Sequence, residues 1–174
     1  MVTLTTRKSR ALGAVAALAA LAASSPAQVA PGTPFPPLAS AGLDGGLLPY
    51  TAGKVILVDF WASWCAPCKA SFPVYSRIQA DYADRGLVIV AVGVDDSLAS
   101  FHAFVAKLKP AFVTVHDANH SLVSGVQVPT MPTSYLVDRT GRVRFIHPGF
   151  HGDQTDRELR KEIETLLVEK APSP

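Results

Sequence analysis

Nearly continuous apolar runs mark the centre of the predicted sheet. Residues 55–60 and 87–94 are too apolar for strands with one exposed face, so we expect layers covering both faces of the sheet. A shorter strand is predicted at residues 112–115. A hairpin signal joins two further strands, at residues 132–138 and 142–147.

Apolar positions spaced three and four residues apart predict the helices. This spacing runs through residues 66–85, where Pro73 predicts a kink about two turns in. It returns at residues 98–108 and 155–168, and a short helix or turn is expected at residues 120–124. Strands and helices in alternation, followed by a hairpin and a last helix, predict an α/β domain with a central mixed β-sheet flanked by helices.

Residues 1–27 have the pattern of a secretory signal peptide. Three basic residues precede an apolar run at 11–23, and Ser25-Pro26-Ala27 supplies the small residues of a cleavage site. The run is shorter than the roughly 20 residues that span a bilayer, so we expect cleavage, with an uncleaved anchor as the alternative. Export places the protein in the periplasm or outside the cell, where disulfides persist.

A proline-rich stretch, residues 28–37, leads into the domain. Proline lacks the amide that a central strand needs, so this stretch is either a linker or an edge strand laid along the domain. Asp44-Gly45-Gly46 predicts a turn, with a small hairpin before Tyr50. Residues 38–170 form the predicted domain.

Charge and composition narrow the function classes. An apolar fraction of 48% with 17% charged residues is typical of a globular protein. Without the three basic residues of the leader, the 16 basic residues become 13, against 14 acidic ones. Because no basic excess remains, we expect no binding to nucleic acid. We also expect the protein to be a monomer.

Cys65 and Cys68 are the only cysteines in the chain, and they stand at the junction of the first buried strand and the first helix. The amides at a helix N-terminus favour the thiolate of Cys65, and Cys68, one turn along, can resolve a mixed disulfide. Pro67 fits the first helical turn, where its missing amide costs nothing. The pair predicts exchange of disulfides with other proteins, with no cofactor beyond a redox-active Cys65–Cys68 disulfide.

Other uses of two close cysteines are less well supported. Zinc needs four ligands, and the five histidines are scattered with no second close pair, so no metal is predicted. A structural disulfide across two residues would stabilise little. A copper-binding module remains the non-enzymatic alternative, because thiolates suit Cu(I).

Asp59 stands in the middle of the first buried strand, where a carboxylate is costly without a partner or a role. We expect burial to raise the pKa of Asp59, which makes it a candidate proton acceptor for Cys68. The alternative is a carboxylate paired with Lys54, Lys69 or a water.

Residues 58–69, Val-Asp-Phe-Trp-Ala-Ser-Trp-Cys-Ala-Pro-Cys-Lys, with Pro73 eight residues after Cys65, closely resemble the active-site segment of thioredoxin. Met131-Pro132-Thr133, before a strand that ends at Asp138, resembles the cis-proline loop of that family. The resemblance covers about residues 33–168 and implies a thioredoxin fold.

The stretch from Asp95 to Pro132 is longer than in a minimal thioredoxin. Together with the signal-like leader and Gly53-Lys54, it resembles the exported TlpA/ResA-type reductases. This implies an N-terminal extension and a central βα-type insertion.

The resemblance assigns roles around the two cysteines. It implies a cis bond at Pro132 in preference to Pro129, and a substrate platform formed by Met131, Pro132 and Trp64. Core packing is the alternative for Met131. Trp61 is expected as support beneath the site, with ordinary core packing as the alternative.

Two residues depart from the ResA pattern. Many such proteins carry a glutamate where this chain has Ser71, and often an asparagine where it has Asp59. The proton-handling carboxylate thus moves to Asp59, which argues against a role dedicated to cytochrome c maturation. Lys69 is expected to be a solvated charge with a secondary effect on the thiolate. His147 and His151 are expected at the surface, because no partner for either is evident in the sequence, and a titrating role near the active site is the alternative.

The resulting prediction is an exported protein that reduces disulfides in periplasmic proteins. A reductant in an oxidising compartment needs a membrane donor of electrons. The alternative is a disulfide oxidant or isomerase, because the same couple runs in both directions.

Overall fold

The computed structural model describes Met1, Thr3 and residues 29–170. The predicted signal peptide, apart from Met1 and Thr3, therefore lies outside the described residues. Within the described part, no helix combines the length and the apolar character that crossing a membrane requires.

The centre of the molecule is a mixed sheet of five strands in the order β3-β2-β1-β4-β5. Its central strand, β1, is parallel to β2 and antiparallel to β4; β2 is also parallel to β3, and β4 is antiparallel to β5. This confirms the predicted sheet. The bounds are Val55–Trp61 for β1, Leu87–Gly93 for β2, Val113–His116 for β3, Thr133–Val137 for β4 and Val143–Pro148 for β5.

Four α-helices accompany the sheet. Their bounds are Ala66–Tyr82 for α1, Leu98–Leu108 for α2, Ser121–Val126 for α3 and Asp153–Val168 for α4. The first helix was predicted to run to Arg85, but its last three residues form a 3₁₀ turn, and Gly86 stops it with φ 103°. Pro73 lies inside α1 without ending it. A second 3₁₀ turn occupies Leu38–Ser40.

Different layers cover the two faces of the sheet. Helices α1 and α4 bury one face, with Tyr75 and Ile163 packed against Leu57 of β1. The other face is covered by α3 and by the residues before β1, where Phe35 packs against Tyr135 with ring centroids 5.6 Å apart. Burial on both faces explains why the two central strands are so apolar.

Residues 29–46, here called the strap, cross from one edge of the sheet to the other. At the β5 edge, the Gly32 amide donates to the Val143 carbonyl at 2.7 Å. At the β3 edge, Asp44 and His116 exchange two backbone hydrogen bonds of 3.0 and 2.8 Å. The hairpin predicted around Asp44 is therefore wrong. Its backbone groups pair with the free edge of β3, which the sequence gives no means to foresee.

Candidate active site

Cys65 and Cys68 lie where the central strand ends and α1 begins, and they form a disulfide. Cys65 is the N-cap of α1, and its sulfur accepts a hydrogen bond of 3.2 Å from the Cys68 amide. The side chains are 4% and 0% exposed respectively. Cys65 is therefore the sulfur that another molecule can reach, and a free helix-terminal amide points at it.

The other residues of the motif occupy the first turns of α1. Pro67 is in the first turn and exposed, as its missing amide allows, and Lys69 is also exposed. Pro73, further along the helix, points to solvent as well. All three side chains are exposed to solvent around the first turns of α1, and none of them covers the two sulfurs.

Asp59 is fully buried in β1, opposite Ser134 of the neighbouring β4. Its Oδ1 accepts a hydrogen bond of 2.7 Å from Ser134 Oγ, and its Oδ2 has no partner among the described residues. A hydroxyl, and neither Lys54 nor Lys69, therefore holds this carboxyl. The arrangement leaves one carboxyl oxygen free within the core.

Burial sets the proton affinity of Asp59. It raises the pKa of Asp59 from the ordinary 3.8 to about 7, because the buried charge loses its hydration. The hydrogen bond from Ser134 lowers the pKa by less. A carboxyl that titrates near neutrality can both accept and return a proton at physiological pH.

The loop before β4 lies against the same cluster. The Met131–Pro132 bond is cis, at the proline that the resemblance favoured over Pro129. Met131 is half-buried and packs against the apolar cluster that contains both cysteines. The Gly149 amide donates to the Pro132 carbonyl at 2.7 Å and ties this loop to the end of β5.

The two tryptophans lie in opposite environments. Trp61 is fully buried and stacks on Phe101 and Phe104, with centroids 5.4 and 4.5 Å away. It forms part of the cluster beneath the cysteines. Trp64 is 70% exposed, directly before Cys65. An exposed indole at this position offers contact area to an incoming chain.

Asp95 is a site residue that sequence reasoning missed. Its carboxylate accepts hydrogen bonds from the Ser63 amide, at 3.1 Å to each oxygen, and from Ser63 Oγ at 2.6 Å. Asp95 is 3% exposed, so this clamp fixes the loop just before Cys65. The signal in the sequence is an acidic pair directly after the second buried strand, and such a pair by itself indicates only where the strand ends.

His116 supports the same turn from below. It is buried, with Nδ1 2.9 Å from Asp44 Oδ1 and Nε2 2.6 Å from the Asp95 carbonyl. Its ring also lies 5.2 Å from that of Phe101. The strap, the end of β3 and the turn that holds Ser63 thus meet at one imidazole.

The expectation that His147 lies at the surface without a partner was wrong. Its Nε2 lies 2.6 Å from Glu162 Oε2 of α4, and its side chain is only 12% exposed. The partner comes from a later helix and could not be identified from the sequence. His151 is exposed, as expected.

Ser71 is fully buried, and its hydroxyl donates to the Cys68 carbonyl at 3.0 Å. The position at which ResA-type proteins often carry a glutamate therefore holds a neutral hydroxyl next to the resolving cysteine. In this chain the buried carboxyl with a pKa near neutrality is that of Asp59.

The arrangement is suited to two-electron exchange between sulfurs. It offers one reachable sulfur with an amide donor, a buried second sulfur one turn along, and a carboxyl that titrates near neutrality on the sheet face that α1 covers. The loop with the cis peptide bond packs against the same cluster.

Known proteins are similar to this chain in sequence. The sequence profile of the Redoxin family matches residues 30–163. The chain is 33% identical over 97 residues to the thiol-disulfide oxidoreductase ResA of Oceanobacillus iheyensis, covering 56% of this chain and 50% of that protein. It is 27% identical over 114 residues to ResA of Geobacillus kaustophilus, covering 66% of this chain and 64% of that protein.

A solved structure extends the comparison to three dimensions. A thiol:disulfide interchange protein DsbE from Chlorobium tepidum is similar, with 31% identity and a TM-score of 0.71, covering 80% of this chain and 99% of that one. The two curated relatives, by contrast, are matched over only 50% and 64% of their own length.

Proposed function

Because this chain belongs to the Redoxin family, we propose that it is an exported thiol–disulfide oxidoreductase that reduces disulfides of other proteins. The names of its relatives describe that activity. The observation that carries the proposal is the Cys68 amide directed at the Cys65 sulfur at the start of α1. That contact favours a thiolate on the sulfur that a client can reach.

The first step joins the client to the protein. In the reduced protein, the Cys65 thiolate attacks one sulfur of the client disulfide. A bond forms between Cys65 and that sulfur while the client's S–S bond breaks, and the second client sulfur leaves as a thiolate that takes a proton from water. Trp64 and the Met131–Pro132 loop provide the surface against which the client chain rests.

The second step releases the client. Cys68 loses its proton to the Asp59 carboxylate, and the resulting thiolate attacks the Cys65 sulfur. The Cys65–Cys68 disulfide forms, and the bond from Cys65 to the client breaks. The client sulfur leaves with the electron pair and is protonated, so the client gains two electrons and two protons in all.

The cycle needs a source of electrons. After one turnover the protein is a disulfide, so a membrane-bound dithiol donor is expected to reduce it again in the periplasm. A monomer is sufficient, because each step uses residues of one chain.

Substitution of each cysteine tests the proposal. Cys65→Ser should abolish reduction of insulin disulfides in the presence of a dithiol reductant, since it removes the sulfur that a client can reach and leaves only the buried Cys68. Cys68→Ser should form a mixed disulfide with the client and fail to release it, which electrophoresis without reductant detects. A Cys65→Ser protein that reduced insulin at the wild-type rate would refute the assignment.

The direction of electron flow has its own test. Equilibration with glutathione buffers gives the reduction potential of the Cys65–Cys68 couple. A value near that of thioredoxin, about −270 mV, supports a reductase, whereas a value above about −180 mV favours an oxidant or isomerase.

A further inference from the structure

Buried polar groups lie between Asp59 and the residue of the resolving cysteine. Tyr75 of α1 has its hydroxyl 2.8 Å from Ser134 Oγ, and Ser134 in turn donates to Asp59 Oδ1 at 2.7 Å. Ser71 donates to the Cys68 carbonyl. Ser71 and Tyr75 are four residues apart on α1, so the two sets of contacts lie side by side in the core.

The residue spacing along α1 explains how these polar groups come together. Cys68, Ser71 and Tyr75 are three and four residues apart, so they share one face of the helix. That face packs on β1 and β4, from which Asp59 and Ser134 project. All five side chains are at most 1% exposed. Because water does not reach them, their polar groups need hydrogen bonds within the protein.

The direction of the hydrogen bonds follows from the number of hydrogens. Ser134 has one hydroxyl hydrogen, and it is donated to Asp59 Oδ1. In the contact between Tyr75 and Ser134, the tyrosine must then be the donor. Both hydroxyls therefore point toward the carboxyl and favour its charged form. Asp59 Oδ2 receives no hydrogen bond from the described residues.

We infer that Ser134 and Tyr75 are positioning residues for proton transfer at Asp59, an inference that rests on the proposed function. Ser134 occupies Oδ1 and leaves Oδ2 as the oxygen that takes the proton from Cys68. Tyr75 fixes the hydroxyl of Ser134 in the donating orientation. The pair also replaces a cationic partner, since the described residues place no lysine or arginine on this carboxyl.

Burial is the largest influence on the proton affinities here. It raises the pKa of Asp59 to about 7 and that of Tyr75 well above its ordinary value, so Tyr75 stays protonated and remains a donor. The hydrogen bond from Ser134 acts in the opposite direction on Asp59 and keeps its pKa within the physiological range.

The test is a pH titration of Asp59, monitored by carbon NMR of its carboxyl group in the oxidised protein without a client. Ser134→Ala should raise the midpoint by about one pH unit, since a hydrogen bond to the charged form is lost. Tyr75→Phe should raise it by less. Ser134→Thr, which keeps the hydroxyl, should restore the wild-type midpoint.

Two matched variants control for general damage to the core. Thr133→Val removes a buried hydroxyl of β4 that donates to the Thr130 carbonyl, and Tyr82→Phe removes a hydroxyl of α1 that donates to Glu164. Neither should move the Asp59 midpoint. An unchanged midpoint in both Ser134→Ala and Tyr75→Phe overturns the inference, even if both variants lose stability.

The release of client from a trapped mixed disulfide gives a second readout. With a midpoint one unit higher, Ser134→Ala should release it about fivefold more slowly at pH 7 and at nearly the wild-type rate at pH 9, because Asp59 is ionised there in both proteins. Equal slowing at both pH values would contradict the inference. Because the NMR titration needs no client, failure of the proposed function would leave its result unaffected, and the two failures can be distinguished.

Discussion

Neutralising Asp59 should make the folded protein more stable, and increasingly so as the pH rises. The carboxyl is fully buried, and burial raises its pKa from 3.8 to about 7. A group that binds its proton more tightly when folded destabilises the fold once both states are ionised. Asp59→Asn keeps the shape and the acceptor for Ser134 but removes the charge.

The size of the effect follows from the two pKa values. The penalty is absent below pH 3.8, grows between pH 3.8 and 7, and levels off above pH 7. Taking 3.8 for the unfolded chain, it amounts to about 0.6 kcal/mol at pH 4 and about 4 kcal/mol at pH 8. The free energy of unfolding of Asp59→Asn, minus that of the wild type, should therefore increase by roughly 4 kcal/mol over this range.

Urea unfolding of the oxidised proteins at pH 4, 6 and 8 measures this difference. Using the difference between two pH values removes any constant effect of the new amide on packing. Asp84→Asn, at an exposed acid of the 3₁₀ turn after α1, is the matched control and should show no such increase. If the difference for Asp59→Asn stayed constant from pH 4 to pH 8, the burial argument would be refuted.

Three further substitutions test the surroundings of the cysteines. Asp95→Ala should lower the free energy of unfolding by about 2 kcal/mol in urea and slow insulin reduction, since it leaves the Ser63 amide unpaired. Asp96→Ala, at a 96% exposed side chain, is its control, and equal losses in both would contradict the clamp. Trp64→Ala should change stability by less than about 0.5 kcal/mol and yet slow insulin reduction severalfold; an unchanged rate would count against its role in the platform. Phe101→Ala should cost about 3–5 kcal/mol of unfolding free energy, and a loss below about 1 kcal/mol would show that the stack on Trp61 is not tightly packed.

Local patterns were sufficient to predict the elements of the fold. The bounds of α2 agree with the prediction at both ends, because Ser97 caps it and its apolar spacing stops at Leu108. The continuous apolar runs identified the central strands, since only a sheet covered on both faces buries them. The strap was not predictable in this way. Its proline-rich sequence has no period, and its partners lie on outer strands far along the chain.

The same distinction between local patterns and distant contacts holds for the site. The cysteine pair, Pro132 and Asp59 stand in short motifs whose chemistry is evident in the sequence. The groups that hold them are distant: Ser134 is 75 residues from Asp59, and Asp95 is 32 residues from Ser63. Such contacts arise only when the strands are aligned, so a single sequence indicates which residues react but not which residues orient them.

The strap connects the two outer strands, β3 and β5, so that local unfolding at one is coupled to local unfolding at the other. Its hydrogen bonds to Val143 and to His116 lie at opposite edges of the sheet, and between them Phe35 and Leu38 pack on the apolar face. Release of either end loosens the apolar contacts that hold the other. The two edges are therefore expected to open as one cooperative unit and to exchange their amide hydrogens together. Until that event, neither edge is left bare for pairing with another molecule at the points that the strap covers.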